Sequence, residues 1–373
     1  METNKKPSRK ILIIVAISIL SVAVVILLAA YFLIHSYINK MNLVSSEGDL
    51  TSQLSDNEGD SIDEELDSLL DQDYEDGATD ITDSPDDEIN YAEDKIRINM
   101  EENQTPIMED KDVFNVLLIG SDTRKSGGRG RSDAMILISI NKKTKTITAT
   151  SILRDIYLQI PGKKNNRINA AHALGGPDLL MDTIEQNFKL TVDNYASIDF
   201  YAFIDIVDGI GGITLDVSEK EIPVINNYVA EINRLNGEDE SLDKLTEPGT
   251  LLLNGKQALG YARNRYVGNN DFERTARQRR VLEQVFLKTK DLGLLEISSL
   301  MNKFLPQVTT NLTQGEIFSM ILSLPSYAKY DLQQWSIPVS GSYSNLRIGG
   351  MAVLGIDFEE NIRELQRRVY GVE

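Results

Sequence analysis

The sequence predicts an α/β protein: a layered α-β-α domain around a mixed central sheet, preceded by one transmembrane helix and a disordered acidic linker. Three observations predict it. The 24 residues Ile11–Ile34 are almost entirely Ile, Val, Leu and Ala. Between Ser45 and Asp112 stand 25 Asp and Glu against 3 Lys and Arg, a local charge of −22. From Val113 onward, short apolar runs bounded by turn residues alternate with segments of helical period, as in a domain that layers helices on a sheet.

At about 1.5 Å per residue, a helix over Ile11–Ile34 exceeds the ~30 Å hydrocarbon core of a bilayer. Lys5, Lys6, Arg9 and Lys10 precede it and only Lys40 follows closely. That asymmetry leaves residues 1–10 in the cytoplasm and everything after Tyr37 outside. A cleaved signal peptide has a shorter apolar region and a small-residue cleavage motif, and no clear motif of that kind follows Ile34. Residues 11–37 are therefore expected to stay as the anchor of a single-pass protein of the cell membrane. Residues 38–112, rich in Asp, Glu, Ser, Asn and Thr, bury too little apolar surface to offset their ordering entropy and read as a self-repelling spacer. An acidic docking arm for a basic partner is the alternative.

Residues 113–373 carry the folded domain. Strands are expected at Val113–Ile119, Ala134–Ile140, Thr146–Ile152, Ala196–Asp199, Ile213–Val217 and Gln334–Val339. Helices are expected at Asp178–Phe188, Phe200–Asp208, Val224–Leu235, Asn254–Arg263, Phe272–Leu292, Thr313–Leu322 and Phe358–Val369. The first two strands could form a hairpin or lie apart, so the sheet is left mixed.

Composition removes several chemistries. The chain carries −19 overall, so outside the acidic stretch it is near +3, and its folded part is almost neutral. Cysteine is absent, which excludes a thiol nucleophile, a Cys-ligated metal and disulfides. With only His35 and His172, a multi-histidine zinc site is excluded and a Ser-His-Asp triad would rest on His172 alone.

Three charged clusters fall at element ends. The first lies in VFNVLLIGSDTRKSGGRGRSD, Val113–Asp133, where Asp122, Arg124, Arg131 and Asp133 flank a Gly- and Arg-rich loop after a buried strand. Ligands of α/β sheets sit beyond the carboxyl ends of the strands, and two carboxylates beside arginines suit a divalent cation and a phosphate that shares it. The second is Arg154-Asp155, directly after the strand TITATSIL. The third is YARNRYVGNNDFERTARQRR, with Arg263, Arg265, Asp271, Arg274, Arg277 and Gln278. Arg274, Arg277 and Gln278 share one face in the first turns of a helix, where cations are unfavourable unless an anion neutralises them. A solvated basic face is the bland reading, and a membrane anchor argues against nucleic acid as the partner. Other motifs carry less. Arg124 occupies the second glycine position of a P-loop, Asp208–Ile213 reads as a helix-to-strand turn, and His172 reads as structural.

Together and in this order, LLIGSDTR, GRSDAMILISIN, SILRDIYLQIPG, RINAAHALGGPDLLMDTIEQNF, VDNYASIDFYAFIDIVDGIGGITLDV, LNGKQALGYARNR and DFERTARQRRVLEQV resemble the LytR-CpsA-Psr family of bacterial cell-envelope proteins. The resemblance covers Val113–Val285; the acidic spacer lies outside the shared pattern. It implies an Mg²⁺-dependent phosphotransferase that moves a glycopolymer (wall teichoic acid, capsule or another anionic glycan) from undecaprenyl-pyrophosphate to peptidoglycan through a phosphodiester. By the same resemblance Asp122 and Asp133 hold Mg²⁺, and Arg131, Arg154, Arg263, Arg265, Arg274 and Gln278 grip the pyrophosphate. Arg277, which matches the second arginine of the run, is counted with the pyrophosphate-binding residues, a structural role being the alternative, and Asp271 matches an acidic position before it. The base is left among Asp122, Asp271 and Asp155. The lipid tail would lie in an apolar tunnel, for which residues in Ala170–Phe203 are candidates. A lipid-pyrophosphate phosphatase and a non-enzymatic regulator or scaffold that binds envelope precursors are the rival functions.

Overall fold

A computed structural model describes residues 42–43, 82–121, 132–290, 300 and 303–372. The expected span at residues 11–37 lies outside them; among the described residues no helix is long and apolar enough to cross a membrane. In chain order the elements are β1 (Asn42–Leu43), α1 (Asp86–Arg97, extended by a π-turn, Ile98–Glu102), β2 (Val113–Ser121), β3 (Ser132–Asn141), β4 (Thr146–Ile152), β5 (Tyr157–Gln159) and β6 (Asn165–Arg167). Then follow α2 (Ile168–Phe188), β7 (Asn194–Ile198), α3 (Phe200–Gly209), β8 (Ile213–Val217), α4 (Glu221–Leu235), β9 (Gly249–Leu253), α5 (Gly255–Arg263) and α6 (Asn270–Lys290). The last are β10 (Thr309–Thr310), α7 (Gln314–Tyr327), β11 (Asp331–Ile337), β12 (Tyr343–Ile348), β13 (Met351–Ile356) and α8 (Phe358–Tyr370).

Seven strands form one mixed sheet in the order β1-β10-β7-β2-β3-β4-β11. β2 and β3 are antiparallel neighbours, with Val116 opposite Ile138. β3 and β4 are also antiparallel, whereas β7 and β11 run parallel to β2 and β4. Side chains alternate across a strand, and that alternation divides the domain into layers. Leu117, Ile119, Met135 and Leu137 face a core shared with Leu180, Ile184 and Phe188 of α2 and Ile362, Leu365 and Val369 of α8. Leu118, Gly120, Ala134 and Ile136 face the other way, toward a cavity roofed by α3, α5 and α6.

Several elements were not anticipated. The first half of α2 precedes the expected Asp178–Phe188, and the helix kinks at Gly176 (φ 74°, ψ −164°) before Pro177. β12 and β13 pair through Gly349-Gly350, both with positive φ, the two-glycine turn that suits a hairpin's twist. β5 and β6, an antiparallel pair, are also additional, as is β9, which pairs antiparallel with the expected strand β8.

The linker reading of residues 38–112 needs correction at its C-terminal end. Residues 86–102 are helical, and Ala92 and Ile96 are buried in the main core. Net charge concealed the signal. Asp86, Asp87 and Glu88 occupy the first turn and Lys95 and Arg97 the last, which is the arrangement the helix dipole favours, while Ala92 and Ile96 lie one turn apart on a single buried stripe.

Candidate active site

Local structure delivers each arginine. Asp199 caps α3 by accepting from the Ala202 N–H at 2.8 Å. α5 opens with a capping box, in which Asn254 Oδ1 accepts from Gln257 N and Gln257 Oε1 accepts from Asn254 N. Gly255 begins α5 where a Cβ would stand 2.3 Å from the Ile204 carbonyl oxygen, so only glycine lets α5 approach α3 this closely. α5 then ends on Arg263, and an extended Asn264 (φ −66°, ψ 113°) turns the chain toward Arg265.

Between the sheet and α3, α5 and α6 lies a cavity of about 540 Å³. Its interior is apolar, with Leu118, Ile136, Ile198, Phe203, Val207, Leu259, Val281 and Val285 among the lining residues. Asp133, Arg154, Arg263, Arg265, Arg274 and Gln278 also line it. On α6 the lining residues run Arg274, Gln278, Val281, Leu282 and Val285, one stripe at helical spacing that passes from cationic to apolar over ~16 Å. A site with this gradient suits a molecule with an anionic head and a hydrocarbon tail.

Alternating charges surround the polar end. Arg154 Nη1 donates to Asp133 Oδ1 at 2.8 Å, and its Nε lies 3.7 Å from Asp155 and 3.8 Å from Asp271. Arg274 Nη2 pairs with Asp271 at 2.8 Å, and the fully buried Arg167 reaches Asp155 at 3.8 Å. Burial opposes the charge on Asp133, yet Arg154, Arg274 and Arg263 together hold its carboxyl below the ordinary range. Burial pushes the Asp155 carboxyl up, reinforced by the charge of Asp271 and against the pull of Arg154 and Arg167. Among the described residues, Arg274 Nε and Gln278 Oε1 are buried without a hydrogen-bond partner. Such atoms are costly unless a ligand or water satisfies them.

Arg263 sits between two rings, its guanidinium carbon 4.5 Å from the centroids of both Phe200 and Tyr228, with Glu231 3.7 Å away. Stacking fixes the plane of a guanidinium and leaves its edge for an anion. Tyr228 and Glu231 were not anticipated as site residues. They lie at i and i+3 on α4, beside the apolar stripe Ile225, Val229 and Ile232, so helical period was the available signal.

Arg277 corrects a sequence expectation. It is 2 % exposed and does not line the cavity. Its Nε donates to Glu221 at 2.7 Å, Nη1 to the Asn264 carbonyl at 2.9 Å and Nη2 to the Val267 carbonyl at 2.8 Å. Arg277 therefore shapes the loop that presents Arg265 instead of gripping an anion. The tunnel lining also differs from expectation: Ala196–Phe203 contributes, but Ala170, Ala171, Leu180 and Phe188 belong to the core on the opposite face. Buried His172 does not line the cavity. Asp122, Arg124 and Arg131 lie outside the described residues.

Comparison with known proteins agrees with this geometry. The sequence pattern of the LytR_cpsA_psr family matches residues 78–367. Biofilm regulatory protein A of Streptococcus mutans is 35% identical over 226 residues, 57% of this chain and 52% of that protein. The polyisoprenyl-teichoic acid–peptidoglycan teichoic acid transferase TagU of Bacillus licheniformis is 36% identical over 216 residues, 57% of this chain and 64% of that protein. The chain thus spans between about half and two thirds of the length of these two relatives. A solved structure of YwtF (TagT) with bound octaprenyl pyrophosphate lipid is similar at a TM-score of 0.53 and 29% identity, covering 72% of this chain and 96% of that one. On the family match, the order of its motifs and the α/β fold with its mixed sheet, the chain belongs to the LytR_cpsA_psr family.

Proposed function

We propose that the chain transfers an anionic glycopolymer from an undecaprenyl-pyrophosphate carrier to peptidoglycan, forming a phosphodiester, on the outer side of the cell membrane. The observation that carries this reading is the cavity that joins an apolar interior to Arg154, Arg263, Arg265 and Arg274. It is supported by the teichoic acid transferase activity for which TagU is named and by the octaprenyl pyrophosphate in the TagT structure. The charges flanking Ile11–Ile34 support the location.

In the proposed reaction the prenyl chain lies among Phe203, Val207, Leu259 and Val285, and the pyrophosphate meets the arginines. An acceptor hydroxyl attacks the glycan-linked phosphorus. The new P–O bond forms as the bridging P–O bond breaks, polyprenyl phosphate leaves, and the hydroxyl proton passes to a base. Positioning and charge neutralisation supply most of the catalysis in such transfers, and this is what four arginines, one of them stacked between two rings, provide. A carboxylate kept ionised by its neighbours, as Asp133 is, is the hard oxygen donor that Mg²⁺ takes. Asp122 and Asp133 would hold that ion, which when bound neutralises phosphate charge and acidifies a hydroxyl. Asp122, Asp271 and Asp155 are the candidate bases.

The test uses the full chain in lipid nanodiscs with an undecaprenyl-pyrophosphate-linked glycan and a soluble peptidoglycan fragment, with and without Mg²⁺. Mass spectrometry should find an Mg²⁺-dependent glycan–peptidoglycan phosphodiester that disappears in Arg263→Ala. Release of phosphorylated glycan without coupling would replace the transferase by a phosphatase. Binding without turnover would leave a regulator or scaffold.

A further inference from the structure

β1 is two residues long, yet its position decides where the domain stands. Asn42 pairs with Thr309 and Leu43 with Thr310, parallel to β10. β10 is antiparallel to β7, and β7 is parallel to β2. β1 therefore runs opposite to β2, and the chain enters the sheet at the end where β2 and β7 finish. The same end holds the start of β3, with Asp133, and the exit of β4, with Arg154. Val308, one residue before the partner of Asn42, lines the arginine-bearing cavity.

Chain length turns that topology into a distance. Residues 38–41 alone separate the anchor segment 11–37 from β1. Four residues reach at most ~14 Å when fully extended. Were β1 not paired to the sheet, residues 38–82 would be the tether, and a coil of that length averages roughly 40 Å, more with self-repulsion.

The acidic residues 44–81, with 14 Asp and Glu and no Lys or Arg, have another place in the chain. They start on β1 and end at the tip of the β12–β13 hairpin, where Asp83 accepts from the Gly349 and Gly350 N–H groups at 3.2 and 2.8 Å. Ser84 extends that attachment. Its N–H donates to the Arg347 carbonyl and its Oγ accepts from the Arg347 N–H, both at 2.9 Å. The domain holds both ends of the acidic segment, so the length of that segment does not set the height of the domain above a membrane.

The catalytic end also carries side chains that fit a bilayer surface. Tyr201, in the first turn of α3 directly after β7, is 45% exposed, and Tyr266, beside Arg265 in the loop after α5, is 57% exposed. A tyrosine, with an apolar ring and a polar tip, is favoured at the boundary between lipid and water.

We propose that β1 docks the catalytic end of the sheet on the outer face of the bilayer that holds residues 11–37, with Tyr201 and Tyr266 on the contact surface, and that residues 44–81 are an insert of the domain and not its tether. The inference rests on the reading of residues 11–37 as a retained anchor. It puts the cavity within reach of a carrier lipid that stays in the membrane until it is bound.

The experiment uses the full chain in nanodiscs. Native cysteine is absent, so Tyr201→Cys and Lys143→Cys variants each carry a single fluorophore. Lys143 is exposed in the turn between β3 and β4, at the far end of a ten-residue strand, roughly 30 Å from the catalytic end. Lipids with a quencher in the headgroup should quench the label at position 201 severalfold more than the label at position 143. About 12 Gly and Ser residues inserted after Lys40 lengthen the tether by roughly 20 Å and should remove most of that difference. The same insert after Glu58 should leave the difference as it was. Equal quenching at the two positions, or equal effects of the two inserts, in a chain whose intact mass retains residues 1–37 would overturn the docking and leave the anchor standing. A chain cleaved after the apolar run would overturn the anchor and the docking with it.

Discussion

Arg154 Nη1 and Asp133 Oδ1 meet at 2.8 Å and tie the end of β4 to the start of β3. The pair keeps a carboxylate charged in a site where burial opposes charge. Arg154→Ala should therefore cost both activity and stability, the latter by ~2–4 kcal/mol, because it leaves the Asp133 charge poorly compensated. Adding Asp133→Asn to that variant should restore most of the stability and none of the transfer. Urea unfolding of the two single variants and the double variant, beside a product assay, measures this coupling. Additive stabilities would refute it.

Arg263 separates charge from shape. Arg263→Lys keeps the charge but loses the planar stacking between Phe200 and Tyr228. Undecaprenyl-pyrophosphate affinity should fall by ~10-fold or more in both Arg263→Lys and Arg263→Ala, equivalent to ~1.5–3 kcal/mol for a charge-assisted contact. Their unfolding midpoints should stay near wild type. Full rescue by lysine, read by equilibrium binding, would mean that only the charge matters.

Arg277 should behave in the reverse manner. Truncation to alanine strands the Glu221 carboxylate and the Asn264 and Val267 carbonyls, a loss of ~3–5 kcal/mol by analogy with broken buried pairs. Denaturant unfolding should show that loss even with no ligand present. A stable Arg277→Ala protein with weakened pyrophosphate binding would return Arg277 to the set of ligand contacts.

Much of this arrangement was legible because strand ends and helix starts are marked locally. Asp133, Arg154, Arg263, Arg265 and Arg274 fall at or near element boundaries, Gln278 lies one turn beyond Arg274 on the same helix, and all six line one cavity. What stayed hidden depended on tertiary partners. The sequence spacing of Arg274, Arg277 and Gln278 shows a shared helical face, but not that Glu221, 56 residues away, takes the middle one. Composition over a long window masked α1, because two small buried positions, Ala92 and Ile96, count for little among 25 acidic residues. The β12–β13 hairpin, by contrast, carries a local signal, the Gly349-Gly350 turn.

The apolar part of the first cavity yields a length-dependent prediction. Val285 lies about three helical turns beyond Arg274 on the same stripe of α6. Val285→Trp should weaken undecaprenyl pyrophosphate ~10-fold or more by filling space a long chain needs. Geranyl pyrophosphate, which has a short chain, should bind within ~2-fold of wild type, the scatter expected of an undisturbed head-group site. Equal losses for both lipids would place the long chain elsewhere.

Glu364 on α8 gives the pH dependence. Arg367 donates twice to its carboxylate at 2.8 Å and Arg368 once at 2.6 Å. Those hydrogen bonds hold the carboxyl down to about 2, with Arg367 the larger cause. An unfolded glutamate titrates near ~4.3, so the charged form is favoured by folding. Its contribution is complete above that range and is lost as pH falls through about 2. Because the group is partly solvated, screening limits the contribution to ~1 kcal/mol. Glu364→Gln should therefore unfold at lower urea than wild type at pH 7, and the difference should shrink from below pH ~5 toward pH ~2. High salt at pH 7 should also reduce it. A difference that grows on acidification would show that the glutamate supports α8 through packing and not through its charge.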